Sequence, residues 1–524
     1  MKQLFLLLVS INSCLFNNIL LAQMQPLWST DYSLNYPYTI HQNSMVNDKN
    51  GNVYIVGFTN DTSNNNVKGV TLKYNTNGQF QWIQYYDSIN YYTRIAVDDS
   101  SNVYVAGRYD NGLKTLKYNS LGVLKWARTY PSIGYGIWAW DLITDDSCNV
   151  YIAGHSTGNR FTTIKYNVNG NIVWASLDTI ASGQGPSLIT LDNEQNVYIA
   201  IRGFDVLNTS FTSTTIKYNS AGGKVWQRSN NGNFIDGAAV PVDIKYHPNG
   251  FIYVLAATTN NNNGKGDYNV VKYDTLGNLI WTTSYSFTEY YDIPKDFILD
   301  KYGNVYVTGN IYPTGGTYDS LATIKISKLG VFEWKKTYSS GYSMLDEACG
   351  ITIDTLGFIY VAGKSPDSFY DENFLTLKYD SLGNEIWNTR YKHTNSSNDI
   401  PNSISLDNAG NIYLSGRTTD LNSTGILTIK YSKTVGLKES TNEKEPSYNA
   451  IPNPFETSTM IVSNQELNDA NILLYDELGK VVLKIDHINH RNIIIPRNDL
   501  SNGIYFFRLL ENGQVIAKGK LIAQ

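Results

Sequence analysis

Apolar and polar positions along this chain recur as a block, not as a helical stripe or a simple alternation. Each block holds one short apolar run with a central Tyr, such as Val53-Tyr54-Ile55-Val56-Gly57 or Val103-Tyr104-Val105-Ala106-Gly107. The run returns around Tyr151, Tyr198, Tyr253, Tyr306, Tyr360 and Tyr413, at steps of 50, 47, 47, 55, 53, 54 and 53 residues from Tyr54 onward. A run that is apolar on both faces predicts a strand sandwiched between neighbouring layers. A period near 50 residues built from short β runs predicts a repeat array, of which the propeller is the leading form.

The rest of each block supplies three more strands. An Asp stands six residues before the key Tyr in seven repeats (Asp48, Asp98, Asp145, Asp192, Asp300, Asp354 and Asp407), and His247 takes its place in the fifth. A short polar turn follows it, where a carboxylate can cap backbone N–H groups and Gly accepts positive φ. The third strand carries Thr-Ile/Leu-Lys-Tyr, from Thr71-Leu72-Lys73-Tyr74 to Thr428-Ile429-Lys430-Tyr431. A second turn ends in Gly with Trp four residues later, giving Trp82, Trp126, Trp174, Trp226, Trp281, Trp334 and Trp387.

That makes seven Trp strands for eight repeats. The missing one is at the other end of the chain, where Trp28-Ser29-Thr30-Asp31-Tyr32 repeats the Trp-x-x-x-Tyr of Trp126 to Tyr130 and Trp281 to Tyr285. The expectation is therefore an all-β, eight-bladed β-propeller over residues 23–433, closed by the N-terminal strand, with seven blades as the alternative. Closure removes edge strands that invite aggregation. The eight Trp residues read as structural, because each aromatic buries a large apolar surface. The Lys row (Lys73, Lys117, Lys165, Lys217, Lys272, Lys325, Lys378 and Lys430) falls inside a sandwiched strand, so it needs partners. The Asp row on the same rim is the expected one, ahead of a cationic ring for anions.

Residues 1–22 read as a signal peptide: Lys2, then an apolar stretch from Leu4 to Leu21 interrupted by Asn12, Ser13, Asn17 and Asn18, with cleavage expected after Ala22. No later segment is long and apolar enough to span a membrane. A net charge of −5 gives no sign of a nucleic-acid partner. Beyond the leader only Cys148 and Cys349 remain, about four repeats apart, so neither a disulfide nor a zinc site is expected and the fold rests on side-chain packing.

Candidate chemistry is thin. Gly154-His155-Ser156-Thr157-Gly158 fits the hydrolase Gly-x-Ser-x-Gly, but that motif needs a following helix and this one follows the Tyr strand. The His residues share no metal-ligand spacing. No catalytic residue, metal or cofactor is expected. The second-to-third and fourth-to-first connections vary between repeats and share one rim, where recognition on a rigid scaffold is placed. They carry Tyr38, Tyr92, Trp138, Trp140, Phe234, Tyr291 and Tyr342. Stacking faces beside Asn and Asp hydrogen bonders suit a glycan or a protein partner, while packing beneath their own loops is the plainer role.

Residues 434–448 are polar and charged and read as a linker. Residues 449–524 read as a small β-sandwich. They contain Ile451-Pro452-Asn453-Pro454-Phe455, Asp476-Glu477-Leu478-Gly479-Lys480, Gly503-Ile504-Tyr505-Phe506 and a closing Gly519-Lys520. This segment resembles the type A C-terminal sorting domain of the type IX secretion system. The resemblance implies that the secretion machinery is a partner, and that the chain is released or attached at the outer surface. The repeats resemble the SBBP family of β-propeller-like repeats, which implies architecture and secretion but no activity. The Gly-x-x-x-Trp turn is similar to the tryptophan-docking turn of eight-bladed quinoprotein dehydrogenases, without an adjacent Cys pair or assembled calcium and quinone ligands. The expected function is thus a secreted or surface binding and adhesion scaffold, not an enzyme. A quinoprotein-like dehydrogenase and a structural surface-layer component are the alternatives.

Overall fold

The computed structural model describes residues 24–524 apart from 65, 88–93, 110–111, 133–135, 157–159, 180–184, 206–209, 232–236, 261–265, 288–291, 313–319, 343–344, 369–370, 394–397, 421, 434–447, 464–465, 477–479, 499 and 512–513. The expected leader, residues 1–22, and nearly all of the expected linker lie outside the described residues. The chain divides into two compact units, Met1–Leu437 and Lys438–Gln524.

The described residues are all β, with no helix among them. Among the described residues the first unit contains eight antiparallel four-stranded sheets. The first sheet is typical: Tyr38–Asn47, Val53–Asp61, Asn66–Tyr74 and Phe80–Asp87, paired in chain order. Its second strand is the Tyr run, and Val53 to Gly57 are all buried. Six more sheets follow the same meander. The eighth differs, because Trp28–Asn35 supplies its outer strand by pairing antiparallel with Ser423–Tyr431, Trp28 opposite Lys430.

The first strand of each sheet packs on the first strand of the next, and that of the eighth sheet, Asn398–Leu406, packs on Tyr38–Asn47 of the first. Polar bonds cross that last junction: Ile40 N donates to Thr424 Oγ1 at 3.0 Å, and Ser405 Oγ to Asn47 Oδ1 at 2.7 Å. Each interface is filled by apolar side chains from both neighbours, as where Ile40, Val53, Ile55 and Leu72 meet Tyr413 and Ile426.

Local chemistry explains why the strands turn where they do. Asp48 Oδ1 accepts the N–H groups of Asn50 and Asn52, while Oδ2 accepts the Asn52 amide and the Tyr54 hydroxyl. The Tyr-to-Asp bond recurs at Asp98, Asp145, Asp192, Asp300, Asp354 and Asp407, at 2.9–3.3 Å. His247 keeps only part of this pattern in the fifth sheet, where the Tyr253 hydroxyl donates instead to Gly303 O of the next sheet at 3.1 Å. The His247 Nδ1 accepts Asn249 N–H at 3.2 Å, which leaves Nε2–H to donate to Asp300 O of the next sheet at 3.0 Å. An imidazole thus replaces a carboxylate without loss of the turn.

The second unit holds two sheets. Tyr448–Ile451, Ser458–Ser463 and Asn492–Pro496 form one, and Val481–Ile488, Ala470–Tyr475, Gly503–Glu511 and Gln514–Ala523 form the other. Ile461, Ile493 and Ile495 share one core with Ile472, Leu474, Phe507 and Leu509. The Pro-Asn-Pro segment is knit to the last strand, Asn453 Oδ1 accepting Ile522 N–H and its amide donating to Lys520 O, both at 2.8 Å.

Candidate functional site

Antiparallel meanders place the first-to-second and third-to-fourth turns at one end of every sheet and the variable connections at the other. At the regular end the repeated charges are consumed by structure. Lys73 Nζ donates to Ser120 O of the next sheet at 2.9 Å, and Trp82 Nε1 donates to the same carbonyl at 3.2 Å. Lys217 with Trp226 share Thr275 O in this way, Lys272 with Trp281 share Lys328 O, and Lys430 with Trp28 share Thr76 O. All eight ammonium groups also lie 4.7–5.5 Å from the ring centre of the key Tyr in their own sheet.

The expected Lys–Asp pairing is therefore secondary: the ammonium reaches Asp98, Asp145 and Asp407 only at 3.8–4.0 Å. In six of the eight sheets a main-chain carbonyl of the neighbouring sheet lies closer, at 2.9–3.3 Å, and accepts the ammonium instead. Burial pushes Lys73, Lys117, Lys165 and Lys430 below the ordinary lysine range, with the nearby carboxylate pulling back. Trp387 departs from its row. It is 3 % exposed and packs with Met24, and its indole N–H has no acceptor among the described residues.

On the variable rim the expected aromatics separate. Tyr92, Phe234 and Tyr291 lie outside the described residues. Tyr342 is 40 % exposed and Tyr38 is 51 % exposed. Trp138 and Trp140 are half-buried and engaged with their own protein. Trp138 stacks on His155 at 5.0 Å and carries the Arg108 guanidinium at 4.5 Å. Trp140 Nε1 donates to His155 Nδ1 at 2.6 Å. His155 is 4 % exposed, and burial pushes its pKa down to about 4. The pair therefore packs a buried neutral imidazole, and its rings are not left open as a stacking platform.

Sequence reasoning passed over Tyr36, which is 76 % exposed beside Tyr38. The backbone between them is tied on two sides. Tyr36 N donates to Asn422 O at 3.2 Å, and Pro37 O accepts Thr62 N at 2.9 Å and Thr62 Oγ1 at 2.8 Å. Two aromatic side chains thus stand in solvent on a pinned loop that joins the eighth sheet to the first. The signal was present as Tyr-Pro-Tyr between two strands, with Pro cutting the freedom of the loop.

A second set was also passed over: the side chain four residues before each repeated Asp or His. It is Arg94, Asp141, Asp243 and Asp296 in four sheets, with Lys245 two residues beyond Asp243. These lie on the first strands, after a one-residue bulge in the third, fifth and sixth sheets. Asp141 Oδ2 accepts Ile189 N and Asp296 Oδ2 accepts Ile351 N, each from the following sheet at 3.0 Å. Burial pushes Asp141 up to about 6, against its backbone bond and the Arg94 charge. Burial also raises Asp296, opposed by the Lys245 ammonium at 3.8 Å. Burial would lower Lys245, but Asp243 and Asp296 outweigh it and hold the ammonium above the ordinary range. The set staples adjacent sheets along their inner edge. Among the described residues no group of three His, Cys, Asp or Glu side chains is placed to hold a metal ion. Gly154-His155-Ser156 lies within the strand Val150–Ser156, with no helix after it among the described residues.

Comparisons with known proteins bear on both units. Residues 449–524 match the family described as the secretion system C-terminal sorting domain. A search of curated proteins finds no match to this chain. Among solved structures, the WD40 domain of Pan2 from Neurospora crassa is similar at 11 % identity and a TM-score of 0.39, over 65 % of this chain and 90 % of that one. PorZ, a surface component of the type IX secretion system of Porphyromonas gingivalis, is similar at 9 % identity and a TM-score of 0.31, over 92 % and 75 %. The β-propeller domain of the trilobed protease from Pyrococcus furiosus is similar at 9 % identity and a TM-score of 0.40, over 69 % and 98 %. The antiparallel four-stranded sheets packed through their first strands give the first unit a propeller architecture, and the sorting domain at 449–524 marks the chain for export to the cell surface or the extracellular space.

Proposed function

We propose that this exported propeller protein is a closed ring of eight blades that binds a partner on its variable rim and performs no catalysis. Eight like sheets, contacts that run from the eighth back to the first, and the borrowed outer strand Trp28–Asn35 support the closed ring. The observation that carries the binding reading is the pinned Tyr36-Pro37-Tyr38 loop. Exposed aromatics held by backbone bonds lose little freedom on association, so a ring face there returns most of its burial energy as affinity. The partner class is a glycan or an extended peptide, whose rings or side chains stack on Tyr. The non-catalytic reading draws support from the rows of Asp, Lys and Trp, most of whose polar atoms are spent on their own turns or on neighbouring sheets.

The test is a glycan array and a peptide display screen with the full secreted chain and with its Tyr36→Ala/Tyr38→Ala variant. Binding by the parent that the double variant loses supports the reading. Retention of every interaction by the double variant rejects this loop as the site.

A further inference from the structure

The regular rim is not uniform. At its turn tips the fold asks for a tight turn and little else, and Asn, Ser and Ala all serve there at Asn77, Ser100, Asn169 and Ala221. Over the fifth, sixth and seventh sheets the tips are instead Leu276, Tyr302, Leu329, Leu356 and Leu382. They are 61–73 % exposed, so they contribute little to the fold. These three sheets are neighbours through their first strands. Five apolar tips thus stand along one arc of one rim. Exposed apolar groups clustered in this way mark an interaction surface.

Charge follows the same division. The charged tip residues of that arc are Lys301 and Lys328, both exposed. The acids that begin these turns, Asp274, Asp300, Asp354 and Asp380, have oxygens committed to backbone N–H groups and to Asn or Tyr side chains. Across the second, third and fourth sheets the corresponding tips carry Asp99, Asp146 and Glu194, all exposed. One arc carries five apolar tips and two lysines, with Asn249 as its polar tip; the other carries three acids and a single exposed Leu tip, Leu121.

We infer that the rim over the fifth to seventh sheets seats the propeller on an anionic lipid surface. Each Leu stands alone at the apex of a tight turn, so the arc presents separate convex points. A fluid acyl boundary closes around such points, whereas a folded partner would need a separate cup for each. Lys301 and Lys328 meet the anionic headgroups, and the acidic arc faces away.

The experiment is flotation of the full secreted chain with vesicles of phosphatidylcholine mixed with phosphatidylglycerol, and with phosphatidylcholine alone. The parent is expected to float with the anionic vesicles and to be released by salt. Leu276→Ser, Leu329→Ser, Leu356→Ser and Leu382→Ser together abolish flotation, each change weakening partition on the order of tenfold. Lys301→Gln with Lys328→Gln removes the preference for anionic vesicles, and Leu121→Ser on the acidic arc changes nothing. Thermal unfolding of the fourfold variant matches the parent, because the tips are in solvent. Absence of flotation by the parent overturns the inference, as does flotation that survives the fourfold change. Self-association of the lipid-free parent that the same four changes abolish also overturns it and assigns the arc to a second copy of the chain.

Discussion

Two glycines with nearly equal φ allow the Trp docking between sheets to be isolated. Gly250 has φ of +83° and Gly277 has φ of +82°. A Cβ on Gly250 would meet nothing within 4 Å, whereas one on Gly277 would lie 2.8 Å from Cδ2 and 3.0 Å from Cε2 of Trp226. Gly250→Ala therefore costs only the left-handed strain of an L residue, about 1–2 kcal/mol. Gly277→Ala carries the same strain and also displaces Trp226, which is buried and donates to Thr275 O at 3.1 Å in the turn that contains Gly277. Losing that bond costs about 1 kcal/mol, and loosening a buried Trp adds about 1–2 kcal/mol more. Gly277→Ala should thus be about 2–3 kcal/mol more destabilising than Gly250→Ala. Urea unfolding of both variants, followed by Trp fluorescence with a shared m-value, reads the difference. Equal costs would mean that the Trp does not need the bare turn, and the docking argument would fail.

Three further outcomes follow from the same rows. Trp334→Ala should destabilise by about 2–4 kcal/mol and lower the melting temperature while leaving binding at the variable rim intact, since Trp334 lies at the regular end; unchanged melting would contradict its role. Lys272→Met should cost about 1–2 kcal/mol by removing the bond to Lys328 O and the contact with Tyr253 and Phe251; neutral substitution in a urea melt would show that the ammonium is merely tolerated. His155 has a folded pKa pushed down to about 4 from an ordinary 6.5, so the unfolded chain takes up a proton first as pH falls. Stability present above pH 6.5 is therefore lost progressively toward pH 4, by about 3 kcal/mol in all. His155→Phe should flatten that part of the pH–stability curve, and an unaltered slope in the variant would rule His155 out as its source.

Strand order and turn chemistry were legible in the residues because each is a local rule that recurs along the chain, and the borrowed Trp28 strand was legible because the repeats leave one Trp strand unfilled. An Asp six positions before a Tyr caps its own turn, and a both-faces-apolar run must lie between layers, whatever surrounds them. What each repeated side chain touches across a junction was not legible. The Lys row was expected on Asp, yet it lies on a carbonyl and a Tyr ring. His247 looked like a departure, yet Nδ1 keeps one turn bond while Nε2 reaches the next sheet. The carbonyls that accept the Lys and His247 side chains belong to the next sheet, about 50 residues or more away in sequence, and come near only when sheets stack.

The candidate site divides along the same line. Aromatics on variable loops could be found by composition, but composition does not tell a ring in solvent from one packed on its neighbour. Trp138 and Trp140 turned inward because a buried His155 in the paired strand offered a stacking face and an acceptor. Tyr36 and Tyr38 stayed outside because Asn422 and Thr62 hold the loop from either side. The sequence alone determined what each repeat forms, since turn capping and strand burial act within about 50 residues. Only the tertiary structure decided which side chains remain free to meet a partner, because exposure is set by what neighbouring sheets leave uncovered.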